Sequence, residues 1–161
     1  MLWKQLHKLM QNVKPNRAAE VVLEALEIKS RPTDVFNLSN MLGAKVKFAN
    51  MTEQGILHFI DDVPTIFVKY NEINVKQRFT IAHQLGHALL HFNYDANIYF
   101  KDLSYSVDNK MEQEANRFAA NILMPESELI NLIRLDYTKE KIANHFDVSL
   151  DVLNWQIFDI A

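Results

Sequence analysis

A chain of 161 residues with 48% hydrophobic and 23% charged side chains is sized for one domain around one core. Seventeen Lys and Arg against twenty Asp and Glu leave a net charge of -3, which excludes a global basic field for nucleic acid. With no cysteine, disulfides, thiolate metal sites and a cysteine nucleophile are excluded, so any metal must be held by His and carboxylates.

The N-terminal segment MLWKQLHKLMQNVK is amphipathic, but Lys4, His7 and Lys8 interrupt it, and it lacks the continuous apolar run of a signal peptide. The longest stretch without a charged residue, Phe79 to Tyr94, carries three histidines and falls short of the ~20 apolar residues of a bilayer span. The expectation is a soluble, cytoplasmic protein without a membrane partner. No repeat, low-complexity tract or linker divides residues 1–161, which read as a single domain. Ala18, Val21, Val22, Ala25 and Leu26 recur at helical spacing after Asn16, a candidate N-cap. A short helix is expected from Thr33 and Asp34 to Leu42, stopped by Gly43 at C′. Segment 44–50 alternates, with Val46 and Phe48 on one side, and 55–60 and 65–70 read as strands joined by a turn at Asp61-Asp62-Val63-Pro64. From Asn74 the pattern is helical, at about 75–91, 109–123, 126–135, 139–146 and 150–158, with a loop over 92–108. The fold class is α+β, helix-dominated, with a small three-stranded, mostly antiparallel sheet and C-terminal helices.

Within RFTIAHQLGHALLH (78–91), His83 and His87 stand four apart on a helix, so both imidazoles leave one face. Two ring nitrogens so placed can reach one Zn²⁺ at about 2.0–2.1 Å each. By itself this spacing also describes two partly buried histidines with no metal. Gln84, Leu85 and Gly86 complete an H-x-x-x-H pattern that differs from H-E-x-x-H at one position. A zinc site open for catalysis needs a third protein ligand. His91 is the nearest in sequence, but a continuing helix carries it away from the metal, and it reads as a helix-end histidine. In MEQEANRFAANILMP (111–125), Glu112, Ala115, Asn116, Ala119 and Leu123 share one stripe, mostly small or apolar. A carboxylate on such a stripe needs a partner: a metal, or an Arg or Lys if Glu112 is purely structural. Glu114 points elsewhere and reads as solvated, whereas Asn116, one turn after Glu112, is placed to hydrogen-bond a ligand imidazole.

RFTIAHQLGHALLH followed by EQEANRFAANILMP resembles the ImmA/IrrE family of zinc metallopeptidases, with its H-E-L-G-H helix and later E-x-x-A-N/D-x-F-A and L-L-M-P motifs. The similarity covers roughly residues 16–155. It implies a zincin-like domain with Zn²⁺ on His83, His87 and Glu112, and a cytoplasmic endopeptidase that cleaves a helix-turn-helix repressor of the Xre or cI type, or an antitoxin. Such proteins often belong to prophages, mobile elements or stress-response loci.

Gln84 departs from that pattern. The family places glutamate here as the general base that takes a proton from the attacking water and hands it to the leaving amine. A glutamine amide has nearly the same shape and can hydrogen-bond, but it does not accept a proton at neutral pH. General-base catalysis contributes ~10²–10⁴-fold, so the chain as written should be nearly inactive while keeping its metal. Two origins fit: a deliberate Glu→Gln exchange that keeps a substrate uncut, or a pseudo-peptidase that regulates its repressor by binding alone. A third reading makes the histidines structural and metal-free.

Other groups are less informative. His91, Tyr94, Tyr99 and Tyr105 are candidate donors to a reacting carbonyl, and each also fits as an ordinary loop or packing residue. The strand around Thr65 to Tyr70, taken as an edge, could pair with an extended substrate. The tail, 137–160, has a helix-turn-helix rhythm with a turn at Asp147-Val148-Ser149. Its second helix has two aspartates and no Lys or Arg, so it is expected to pack or dock a partner rather than read DNA. Substrate identity, scissile bond, oligomeric state and the metal used in the cell are left open by the sequence.

Overall fold

The computed structural model describes residues 2–92, 99–102 and 110–161, with the side chains of 99–102 outside the described set. Local chemistry explains most element limits. Helix α3 (Val35–Leu42) starts where the Asp34 carboxylate accepts from the backbone N–H groups of Phe36 and Asn37, and ends where Gly43 takes a left-handed φ of 85°. Helix α2 (Pro15–Ala25) starts earlier than expected: Lys14 is the N-cap and Pro15 occupies the first turn, so Asn16 lies inside the helix. Proline's fixed φ and missing N–H suit that position, which outweighs asparagine's capping preference. Helix α1 (Leu2–Leu9) buries Trp3, Leu6 and His7.

Among the described residues, four strands form one mixed sheet in the order β1-β3-β2-β4, where β1 is Lys45–Ala49, β2 Gly55–Ile60, β3 Val63–Lys69 and β4 Tyr99–Asp102. Strand β2 runs antiparallel to both β3 and β4, and β1 runs parallel to β3. The hairpin between β2 and β3 is tighter than the sequence indicates, because Asp61 and Asp62 both take positive φ, 50° and 65°. Aspartate tolerates that region through its short polar side chain, which matches strand twist in a two-residue turn. Two expectations are corrected here. Strand β3 is internal, flanked by β1 and β2, so Thr65 to Tyr70 is not a free edge; and part of the segment read as loop forms β4. The mostly antiparallel, small-sheet α+β class holds.

The helices α4 (Asn74–Leu90), α5 (Lys110–Leu123), α6 (Glu126–Arg134), α7 (Lys139–Phe146) and α8 (Leu150–Ile160) follow the periodicity closely. Helix α4 is central: Arg78 and every residue from Thr80 to Leu89 are buried. It packs most extensively on α5 and also touches the sheet, α1 and α3. At their crossing, a Cβ added to Gly86 would lie 3.0 Å from Phe118 Cδ1 and 3.3 Å from Ala115 Cα. Glycine leaves room for this approach, and even an alanine Cβ would require Phe118 and Ala115 to give by a few tenths of an ångström. On the other side, Trp3, Phe59 and Phe92 form an aromatic cluster with ring centroids 4.5–5.2 Å apart, and His7 Nδ1 donates to Leu89 O at 2.7 Å.

The tail is tied to this body by two arginines. Arg78 donates to Thr33 O at 2.8 Å, to Phe146 O at 3.3 Å and to Asp147 O at 3.2 Å, so it caps the end of α7 and the loop before α3 together. Arg117 Nε meets both Asp159 carboxylate oxygens at 3.1 Å. Replacing Arg78 by Met leaves the buried Thr33 and Phe146 carbonyls without this donor, at about 1–3 kcal/mol each. Urea denaturation of Arg78→Met is therefore expected to show a stability loss of about 2–6 kcal/mol.

Candidate metal centre

Helix α4 brings His83 and His87 one turn apart, and α5 presents Glu112 to both from its first turn. Glu112 Oε2 lies 3.0 Å from His83 Nε2, Glu112 Oε1 lies 2.8 Å from His87 Nε2, and the two Nε2 atoms are 3.2 Å apart. Among the described residues these three form the group of side chains able to hold a metal ion, with donor atoms within 4.8 Å of one another. The glycine at 86 favours this approach, because a Cβ there would crowd Phe118 and Ala115 of α5.

Protonation chemistry makes the fit specific. His83 Nδ1 lies 2.8 Å from Asn116 Oδ1, an acceptor, so Nδ1 carries the proton and Nε2 offers a lone pair inward. His87 Nδ1 lies 2.9 Å from His91 Nδ1. Inward, two imidazole nitrogens and a carboxylate face one another, an arrangement that a shared proton or a cation must relieve. Donors bound to one tetrahedral ion at about 2.0–2.1 Å would be about 3.3 Å apart, close to the spacings seen. The residues present therefore fit a divalent ion.

The charge states agree with that role. Burial pushes the His87 imidazole below the ordinary histidine range, against the opposing hydrogen bond that it donates to Glu112 when protonated, and so favours the neutral ring that a metal requires. For Glu112, burial acts upward, but the hydrogen bonds and charge of His83 and His87 outweigh it and hold the carboxyl at about 2. Its place in the first turn of α5 also favours the anion through the helix dipole. Burial, then the neighbouring His87, lowers His91 to about 4.

Gln84 is fully buried beside this cluster, and neither its Oε1 nor its Nε2 has a hydrogen-bond partner among the described residues. Gly55, at the start of β2, faces it: a Cβ there would lie 3.3 Å from Gln84 Nε2 and would collide with Thr80 Cγ2. A buried amide left unpaired costs about 1–3 kcal/mol, a cost that a site built to meet a water or substrate group tolerates.

The structure thus brings His83, His87, Glu112 and Asn116 together, while Gln84, next to His83 on α4, faces Gly55 of β2. Glu114 differs from its expected solvated position: it is partly buried, with Oε2 3.7 Å from His91 Nε2. The contact between His91 and His87 was not anticipated, although it has the same four-residue spacing as His83 and His87. Tyr94, Tyr99 and Tyr105 lie outside the residues whose side chains are described. No described helix is long and apolar enough to cross a membrane.

Because Glu112 titrates at about 2 in the fold against an ordinary 4.5, its contribution to stability is present above pH 4.5 and disappears as pH falls through about 2. Acid unfolding of the metal-free protein, followed by circular dichroism, is expected to show that loss, and Glu112→Gln to show less of it.

Residues 40–157 match the IrrE N-terminal-like domain (Peptidase_M78). Metallopeptidase ImmA of Bacillus subtilis (strain 168) is 28% identical over 159 residues, covering 96% of this chain and 85% of that protein. An uncharacterized immunity region protein 2 of Bacillus phage phi105 is 24% identical over 136 residues, covering 83% and 85%. A Mycobacterium tuberculosis transcriptional regulator shares the fold with a TM-score of 0.61 at 16% identity over 94% of this chain; the chain spans 50% of its length. The matched span contains α4 and α5 whole, with the cluster of His83, His87 and Glu112, so the chain belongs to the IrrE N-terminal-like metallopeptidase family.

Proposed function

We propose that the chain is a zinc-dependent endopeptidase of the ImmA/IrrE type, a single metallopeptidase domain over 1–161, acting in the cytoplasm on a helix-turn-helix repressor or antitoxin. The observation that carries this reading is the convergence of His83, His87 and Glu112 on one point beside a buried, unpaired side chain at 84. Kinship with a phage immunity-region protein supports a repressor partner.

His83, His87 and Glu112 would hold the ion, with Asn116 fixing the His83 ring. When bound, zinc supplies Lewis acidity to the water and to the scissile carbonyl. Two histidines and one carboxylate accept other divalent ions as well, so the donor set alone does not single out zinc. Position 84 is where a carboxylate would take a proton and later return it to the departing amine. The Gln84 amide can orient a water by hydrogen bonding but holds no such proton, which makes the chain as written a binder of its substrate that cuts little. The tail at 137–160, held to the body by Arg78 and Arg117, serves on this reading as a docking surface for the protein partner rather than as a DNA reader.

Elemental mass spectrometry of the purified chain is expected to find near one zinc per chain, lost in His83→Ala; no metal in either would remove the metal reading. Restoring the carboxylate with Gln84→Glu is expected to raise cleavage of the cognate repressor by about 10²–10⁴-fold, read by gel and intact mass. If Gln84→Glu binds zinc and the repressor yet leaves it uncut, the chain is a pseudo-peptidase that regulates by binding.

A further inference from the structure

The two metal-facing imidazoles are oriented by different partners. His83 leans on Asn116 of the opposite helix, whereas His87 leans on His91 of its own. We propose that His91 is a positioning residue: its unprotonated Nδ1 accepts the Nδ1–H of His87 and thereby turns the His87 Nε2 lone pair onto the metal position. This inference rests on the reading of His83, His87 and Glu112 as ligands.

The hydrogen bond between His87 and His91 has two possible directions, and only one is compatible with a metal. If His91 donated, the His87 proton would sit on Nε2, pointing at Glu112 Oε1 2.8 Å away, and no lone pair would face the ion. If His87 donates, its Nε2 is free to bind and the His91 proton moves to Nε2. Glu114 Oε2, 3.7 Å from that nitrogen, attracts the resulting N–H dipole and so favours this tautomer. Backbone geometry explains how a residue on the same helix can serve. His91 is the C-cap of α4, four residues after His87 with its N–H on His87 O, so its ring lies over the same face and reaches the outer nitrogen of His87. Its side chain is itself 7% exposed, which keeps water from replacing it as acceptor.

The experiment measures zinc affinity by competition with a chromophoric chelator for the unchanged chain, His91→Leu and His91→Asn. Leucine fills the space without an acceptor; the asparagine Oδ1 stands where the histidine Nδ1 did. Loss of a ligand's orienting partner typically costs 10–100-fold in metal affinity, so His91→Leu is expected to weaken zinc by about that factor while His91→Asn stays within a few-fold of the unchanged chain. Thermal unfolding of the metal-free proteins tells orientation from packing: the two variants are expected to melt at the same temperature while differing in zinc affinity, and a lower melting temperature for His91→Leu that accounts for its weaker binding overturns the orienting role. Equal zinc affinity in all three proteins overturns the proposal, as does an equal loss in both variants. Absence of zinc binding by the unchanged chain overturns the metal reading beneath it as well, a result distinct from either.

Discussion

Two helices meet at Gly86, and the site depends on how closely they meet. The approach of Phe118 and Ala115 to the bare glycine backbone sets the separation of α4 and α5. That separation decides whether a carboxylate one turn earlier on α5 reaches the histidines or falls short. The same interface forms much of the buried core, through Leu85, Leu89, Phe118, Ala119 and Ile122. Packing and chemistry therefore share one constraint. A core that close-packs at this crossing also forces two imidazoles and a carboxylate to face one another, which apolar burial must outweigh when no cation is bound.

Around that crossing, polar groups are placed with unequal economy. Asn116 meets His83, and Arg78 meets two buried carbonyls. Gln84, packed against Gly55, has no hydrogen-bond partner for its amide among the described residues. Natural interiors rarely leave both ends of a buried amide unpaired, and those that do tend to sit where a ligand or water completes the pairing. Gln156 is likewise fully buried with both amide atoms unpaired among the described residues, so what sets Gln84 apart is its place next to His83 on α4.

The sheet and the tail frame the site. The internal position of β3 leaves β1 and β4 as the outer strands of the four, so any added strand would have to pair with one of those. The tail follows a helix-turn-helix rhythm, with Thr138 and Ser149 as N-caps and Asp147 in the left-handed conformation between its helices. Yet its second helix carries aspartates where a DNA reader needs cations, and one of them, Asp159, is engaged by Arg117. Rhythm alone describes a packing unit; only the side chains decide what it recognises.

Most of the helices were legible in the sequence, because apolar periodicity and capping residues such as Asp34, Gly43 and Ser149 act locally. The metal-site candidates were legible too: His83 and His87 by their spacing, and Glu112 and Asn116 by standing on an otherwise small or apolar stripe. Three features were not. The parallel pairing of β1 with β3 and the addition of β4 depend on contacts between distant segments, which no local pattern encodes. Asn16 lost the capping position to a proline whose geometry fits the helix start better. The contact of His91 with His87 has the same four-residue spacing as the ligand pair, but which ring nitrogens meet there depends on rotamers and neighbours that spacing does not encode. Sequence by itself determined which residues are candidates for the site, because spacing along one helix sets which side chains share a face. Tertiary structure alone decided that Glu112 meets both histidines, since that depends on how near a second helix comes, and Gly86 sets that distance.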